Sequence, residues 1–455
     1  MNPYEYIDTH RDAFLEELIE LLRIPSISTM SEHNGDVRRA AEWIADHLKT
    51  IGMEQVEIVE TQRHPIVYAE WLGAPGKPTL LIYGHYDVQP VDDPEGHWKS
   101  DPFEPVIRDG NLYARGATDD KGQTFAQMKA VQALLASGEM PVNVKFVIEG
   151  EEESGSDSLY PFVDANAERL AADLVVISDT GMKSLDEPSI VYGLRGIVYM
   201  EVEVRGPQHD LHSGTFGGVV HNPAQALVEI LAKLHDEEGR ITVPGFYDRV
   251  IVPDAEERAE LAKTPLREEQ LRRDTGVPQS WGEAEFAPHE RTGIRPTLEI
   301  NGLVSGWTGQ GTKTVLPAKA MAKVSCRLVP EQDAEEIYAL VRDYVRALTP
   351  PTVTSEVRLL HHGRWAVVDV KSPEMQAALE AYEFGFGKRP TFVREGGSVP
   401  IVGKFQSALN APVVLMGFGL QDDNLHGPNE KFTLACFERG MKTLVKYYQL
   451  LGERA

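Results

Sequence analysis

Four short apolar runs constrain this chain more than any other feature: residues 79–83 (TLLIY), 144–148 (VKFVI), 174–178 (LVVIS) and 412–416 (PVVLM). Each has strand length and is apolar almost throughout, so both of its faces must be covered. That is the signature of strands inside a parallel sheet with helices on either side. Helical patterns occur where such a fold needs them. Residues 10–23 place Phe14, Leu18, Leu21 and Leu22 on one face. Residues 36–52 open at Asp36 and stop at Gly52, and residues 122–138 align Phe125, Met128, Val131 and Leu135. The pattern predicts an α/β domain, a mostly parallel mixed sheet with helices on both faces. The 455 residues suffice for two or three domains.

The middle of the chain follows another period. Along residues 196–206, Val198, Met200, Val202 and Val204 alternate with Tyr199, Glu201, Glu203 and Arg205, as in a strand with one wet face. A helix is predicted at 222–236, then a polar, proline-bearing stretch over about 237–312 in which no strand is read. A strand at 320–329, a helix at 331–348 and a strand at 353–360 follow. Two strand–helix–strand blocks predict a small open sheet, an α+β insertion spanning 193–362. The α/β domain then comprises 1–192 and 363–455. No internal repeat or low-complexity segment is present.

Several apolar runs end in metal-ligating side chains. The first runs into His85 and Asp87, the second into Glu149, Glu151, Glu152 and Glu153, the third into Asp179, and the fourth leads on to His426. Asp119 and Asp120 stand just before a helix. Sites in open α/β sheets form at the carboxyl ends of the strands, so these groups are expected to share one crevice. Each has an ordinary reading too: a structural histidine, a solvated acidic turn, an aspartate capping a helix. Their coincidence outweighs those readings. Carboxylates crowded in a crevice repel one another unless a cation sits among them. Mixed His and carboxylate donors suit zinc, with manganese or cobalt as alternatives. The donors exceed what one tetrahedral ion takes, which points to two divalent ions and a bridging carboxylate.

Charge excludes other classes. With 45 basic against 70 acidic residues the net charge is −25, which argues against nucleic-acid binding. No apolar run has membrane-spanning length, and residues 1–10 lack the basic start and apolar core of a signal peptide. Two cysteines make no disulfide framework or metal-ligand pair. The expectation is a cytoplasmic protein with no membrane partner.

The motifs GHYDVQP, ARGATDDKG, EGEEESGS, YGLRG, DLHSG and REGGSVP, with the late His426, occur in an order that resembles one family. It is the co-catalytic zinc peptidase family of carnosine dipeptidase, acetylornithine deacetylase and succinyl-diaminopimelate desuccinylase, and the dipeptidase branch is the nearer. The resemblance implies a ferredoxin-like inserted domain acting as lid and homodimerisation surface. It implies that His85, Asp119 and Asp179 hold one ion and Asp119, Glu153 and His426 the other. Asp87 would orient His85, and Glu152 would be the general base. The EESG match sets the register in the glutamate run, making Glu151 the extra residue. Gly150 and Gly155 would permit the bend that lets neighbouring carboxylates differ in role.

The resemblance further makes His212, in DLHSG, an oxyanion donor acting in the partner subunit. It makes Thr314, Arg327, Glu395, Gly397 and Ser398 contacts for a small peptide, with Arg327 taking its free carboxylate. The family's further lid histidine has two candidate counterparts, His361 and His362, and neither is assigned. His64 and His97 are read as surface or turn residues. A cis peptide at Asp119–Asp120 is implied as well. The activity expected is hydrolysis of the amide bond of dipeptides or short peptides with a free C-terminal carboxylate. A deacylase of N-acyl amino acids is the alternative, and a non-catalytic metal-binding scaffold a more remote one.

Overall fold

The computed structural model describes residues 1–454 apart from Ser398 and Pro400, and the side chain of Asp274 is also outside the described set. The chain divides into two compact units. One comprises Met1–Tyr192, Val368–Val393 and Lys404–Ala455; the other comprises Gly193–Val367 and Arg394–Gly403. The second unit thus takes 363–367 and 394–403, which the sequence reading left in the first domain. Part of the reason is local: the backbone N–H of Arg195 donates to the Gly397 carbonyl and its guanidinium to that of Gly396.

The first unit is built on a six-stranded sheet in the order Gln55–Val59, Ile66–Trp71, Asn143–Glu149, Thr79–His85, Leu174–Ile177, Val413–Leu415. The last four run parallel, and the first two join antiparallel at one edge. Every residue of Asn143–Glu149 and of Leu174–Ile177 is buried, as the continuous apolar runs require. The two antiparallel strands were not read from the sequence. Gln55–Val59 buries none of its residues, so it lacks that signal.

The helix Pro3–Leu22 starts earlier than expected because Asn2 and Glu5 form a capping box ahead of Pro3. It packs against Lys121–Ser137 and Leu434–Arg454. Among the described residues, no helix is long and apolar enough to cross a membrane.

A buried cation in Lys121–Ser137 ties that helix to Pro3–Leu22 and to a further helix, Asn34–Thr50. The Lys129 side chain is 0% exposed. It lies 4.6 Å from the Phe14 ring centroid and 4.7 Å from that of Phe125. It donates to Glu17, to Gln132 and, at 2.8 Å, to His47 Nε2. Burial, and then the charge of Lys129, lowers the His47 imidazole to about 3. The unfolded chain protonates this histidine near pH 6.5 while the folded chain resists. Its contribution to stability is therefore complete above pH 6.5 and is lost as pH falls towards 3. At pH 5 the loss reaches about 2 kcal/mol. Urea midpoints at pH 7 and pH 5 should separate further in the wild type than in His47→Gln. Equal separations would show that His47 does not carry this dependence.

The second unit contains a four-stranded antiparallel sheet in the order Thr297–Ser305, Lys319–Leu328, Gly196–Arg205, Thr354–Gly363. Helices Pro223–Leu231 and Ala334–Leu348 pack on it. The β-α-β-β-α-β sequence with that strand order is a ferredoxin-like topology. Val198, Met200, Val202 and Val204 enter its core. The strand Thr297–Ser305 corrects the expectation of a strandless stretch at 237–312. A register shift between Ile300 and Gly302 breaks its alternation, and Ile300, Leu303 and Val304 are exposed.

Candidate metal centre

The carboxyl ends of the parallel strands bring the centre together within the first unit. His85 is the last residue of Thr79–His85 and pairs with Glu149 across the sheet. The close packing there demands Gly84, since a Cβ at that position would sit 1.9 Å from Thr124 Oγ1. Thr124 donates to Asp120 Oδ2 at 2.6 Å, and the same oxygen accepts the His85 N–H at 3.3 Å. The Asp119–Asp120 peptide is cis.

Two donor sets share Asp119. Ligand atoms of His85, Asp119 and Asp179 lie within 4.8 Å of one another, as do those of Asp119, Glu153 and His426. Asp119 turns one oxygen to each set: Oδ1 is 3.1 Å from His85 Nε2, and Oδ2 is 3.0 Å from His426 Nε2. His426 Nε2 is also 3.3 Å from Glu153 Oε2. Asp87 reaches His85 Nδ1 with its backbone carbonyl at 3.1 Å and its Oδ1 at 3.4 Å. Its carboxylate also accepts the N–H of Glu152 at 3.2 Å and of Glu153 at 3.1 Å. The short 3-10 turn Glu152–Ser154, closed by Gly155 at φ +106°, separates the two adjacent glutamates. Glu151 turns the other way and accepts the N–H of His64 at 2.8 Å and of Ser158 at 3.1 Å. His64, read from the sequence as a surface or turn residue, lies in a bend and is buried.

The electrostatics fit two cations. Burial, then the charge of Asp119, pushes Asp179 up to about 7. Burial also lifts Glu152 well above the carboxylate range, reinforced by Asp179, Glu153 and Asp119 and opposed by His85. Burial alone would lower His85, yet its bonds to Asp119 and Asp87 raise it well above 6.5. His426 rises to about 10 through its hydrogen bonds to Asp119 and Glu153. Protons thus gather where carboxylates crowd, and divalent ions would relieve the same repulsion. Each set offers three protein donors, which leaves positions open, as a catalytic ion requires.

The remaining candidates lie in the second unit, in two groups. His212 pairs with Val315 across two short strands, and Ser213 N–H donates to the Thr314 carbonyl at 3.1 Å, so His212 and Thr314 are neighbours. Arg327 and Arg195 line one cavity of about 430 Å³. Arg195 also holds the turn of Gly396 and Gly397 that follows Glu395. Ser398 lies outside the described residues. Sequence reasoning missed Gln89, which donates to Glu153 Oε2 at 2.7 Å, and the pair Arg115–Glu430. Gln89 and Arg115 stand in motifs already singled out, GHYDVQP and ARGATDDKG, and Glu430 follows closely on His426.

A model of the family described as Peptidase family M20/M25/M40 matches residues 81–450. The Cys-Gly metallodipeptidase DUG1 of Saccharomyces cerevisiae is 34% identical over 472 residues, which cover 99% of this chain and 98% of that protein. The Beta-Ala-His dipeptidase of Homo sapiens is 34% identical over 466 residues, covering 98% of this chain and 91% of its own. The solved structure of the dipeptidase Dug1p from Saccharomyces cerevisiae matches with a TM-score of 0.89 at 34% identity, over 99% of this chain and 98% of that one.

Proposed function

We propose, from the premise that this chain belongs to peptidase family M20/M25/M40, that it is a two-metal dipeptidase acting on dipeptides with a free C-terminal carboxylate. One observation carries the reading: Asp119 presents its two oxygens to two separate donor sets. His85, Asp119 and Asp179 would hold one ion, and Asp119, Glu153 and His426 the other. The mixture of imidazole and carboxylate favours zinc, and manganese or cobalt would fit the same donors. When bound, such ions acidify a water and polarise the scissile carbonyl.

The chain's own groups do the rest. Glu152, outside both donor sets, takes the proton of the attacking water and returns it to the leaving nitrogen. Asp87 holds the backbone on which Glu152 and Glu153 sit. Arg327 takes the substrate carboxylate, with Thr314, Gly397 and Ser398 beside it, and Glu395 pairs with the free amine. His212 supplies the oxyanion donor. The unit Gly193–Val367 serves as lid and homodimer surface. The exposed edge strand Thr297–Ser305, with Ile300, Leu303 and Val304 facing outward, supports that role. The cytoplasm is the proposed compartment.

The relatives named as Cys-Gly and Beta-Ala-His dipeptidases support a dipeptide substrate. The test is a panel of dipeptides beside the matching N-acetyl amino acids, with zinc- or manganese-loaded protein. Turnover of the dipeptides alone is expected. Preference for the N-acetyl series would make the chain a deacylase, and no turnover of either would remove the catalytic reading.

A further inference from the structure

A buried ion pair outside both donor sets joins the loops that carry the donors. Arg115 and Glu430 are 315 residues apart, and Arg115 Nη1 donates to Glu430 Oε2 at 2.8 Å. Their side chains are 3% and 1% exposed. Local pairing brings them together. The strand Lys431–Thr433 runs antiparallel to Asn111–Tyr113, and just beyond it Ala114 N–H donates to the Glu430 carbonyl.

The Glu430 carboxylate is surrounded by donors. Oε2 also accepts the N–H of Gly116 at 3.0 Å, and Oε1 accepts those of Thr118 at 3.1 Å and Asp119 at 3.2 Å. The backbone of the bridging aspartate is thus fastened directly to Glu430. Arg115 carries the fastening onward: Nη2 donates to the carbonyls of His426 at 3.2 Å and Pro90 at 3.3 Å. One guanidinium and one carboxylate therefore link three segments, each ending in or following a donor: His85–Pro90, Asp119 and His426. A planar guanidinium suits the task because its donors point in fixed, separate directions.

We propose that the Arg115–Glu430 pair is a positioning device for the second ion, setting His426 and Asp119 at the spacing that ion needs. Neither residue belongs to a donor set. The pair's effect should be unequal: it bonds the backbone of two donors, Asp119 and His426, in one set but only that of the shared Asp119 in the set of His85, Asp119 and Asp179. The inference rests on the two-ion reading of the site.

The experiment is a Zn²⁺ titration of the purified full chain in competition with a chromophoric chelator, together with thermal unfolding of the metal-free protein. The wild type should take two ions. In Glu430→Gln one affinity, the one that His426→Ala abolishes, should fall about 10–100-fold, and the other by less than about tenfold. Arg115→Lys keeps a cation beside Glu430 but cannot reach all three acceptors, so it should fall between. It also carries the test if Glu430→Gln does not fold. Glu283→Gln is the control, since it breaks a buried ion pair with Arg295 in the second unit. It should alter unfolding and leave both ions at wild-type affinity.

Two ions at unchanged affinity in folded Glu430→Gln and Arg115→Lys overturn the proposal. So does an equal weakening of both ions. A wild type that takes fewer than two ions overturns the two-ion reading, and this inference with it.

Discussion

Glu152→Gln should retain both metal ions and lose turnover by about 10²–10⁴-fold. The residue belongs to neither donor set, so removing its charge breaks no ligand bond. The substitution preserves size, and the backbone N–H of residue 152 remains on Asp87. What disappears is the only chemistry asked of the side chain, the acceptance and return of a proton. The loss should therefore fall on kcat, with KM little changed. Metal content by mass spectrometry and steady-state kinetics decide the matter together. A variant that loses an ion in proportion to its activity would make Glu152 a ligand and shift the base to a neighbouring glutamate.

That neighbourhood shows how far sequence alone could reach. His85 and Asp179 were legible because each follows a run apolar on both faces, and such runs end at the same edge of a parallel sheet. The three consecutive glutamates were not separable by any periodicity, and only the family pattern set Glu151 apart. The structure adds a physical reason: Glu151 is buried and occupied by the N–H groups of His64 and Ser158. His64 was read as a surface or turn residue; it sits in a bend, and its burial follows from the distant Glu151, which no local pattern signals. The edge strand Thr297–Ser305 was missed for the opposite reason. Of its apolar residues only Leu298 is buried, Ile300, Leu303 and Val304 are exposed, and a bulge shifts their phase, so neither a buried run nor a clean alternation was there to find. Arg115 and Glu430 illustrate a third limit. An ion pair across 315 positions leaves no local pattern, and only the fold reveals it.

His212→Ala and Glu152→Gln should each be nearly inactive as homodimers, and mixing them should restore activity. In the chain itself His212 is an exposed residue at the start of a short helix. Its Nδ1 accepts the Gly214 N–H at 3.0 Å, so the neutral ring carries its proton on Nε2 and offers a donor there. A donor of this kind contributes most to an oxyanion in a water-excluded site, and its removal costs about 10²–10³-fold in kcat. Exposure in the single chain thus agrees with service in a partner subunit, where a two-fold axis would bury it. In a mixed dimer, the subunit with intact Glu152 would receive an intact His212 from its partner, and the other site would lack both. Activity should approach about half of wild type per heterodimer, since one of two equivalent sites is whole. If His212 acted on its own chain, every site in the mixture would carry one defect and none would recover. Heterodimers isolated with two different affinity tags distinguish these cases. Tagged heterodimers that form and stay inactive would place His212 in its own subunit's site or outside catalysis altogether.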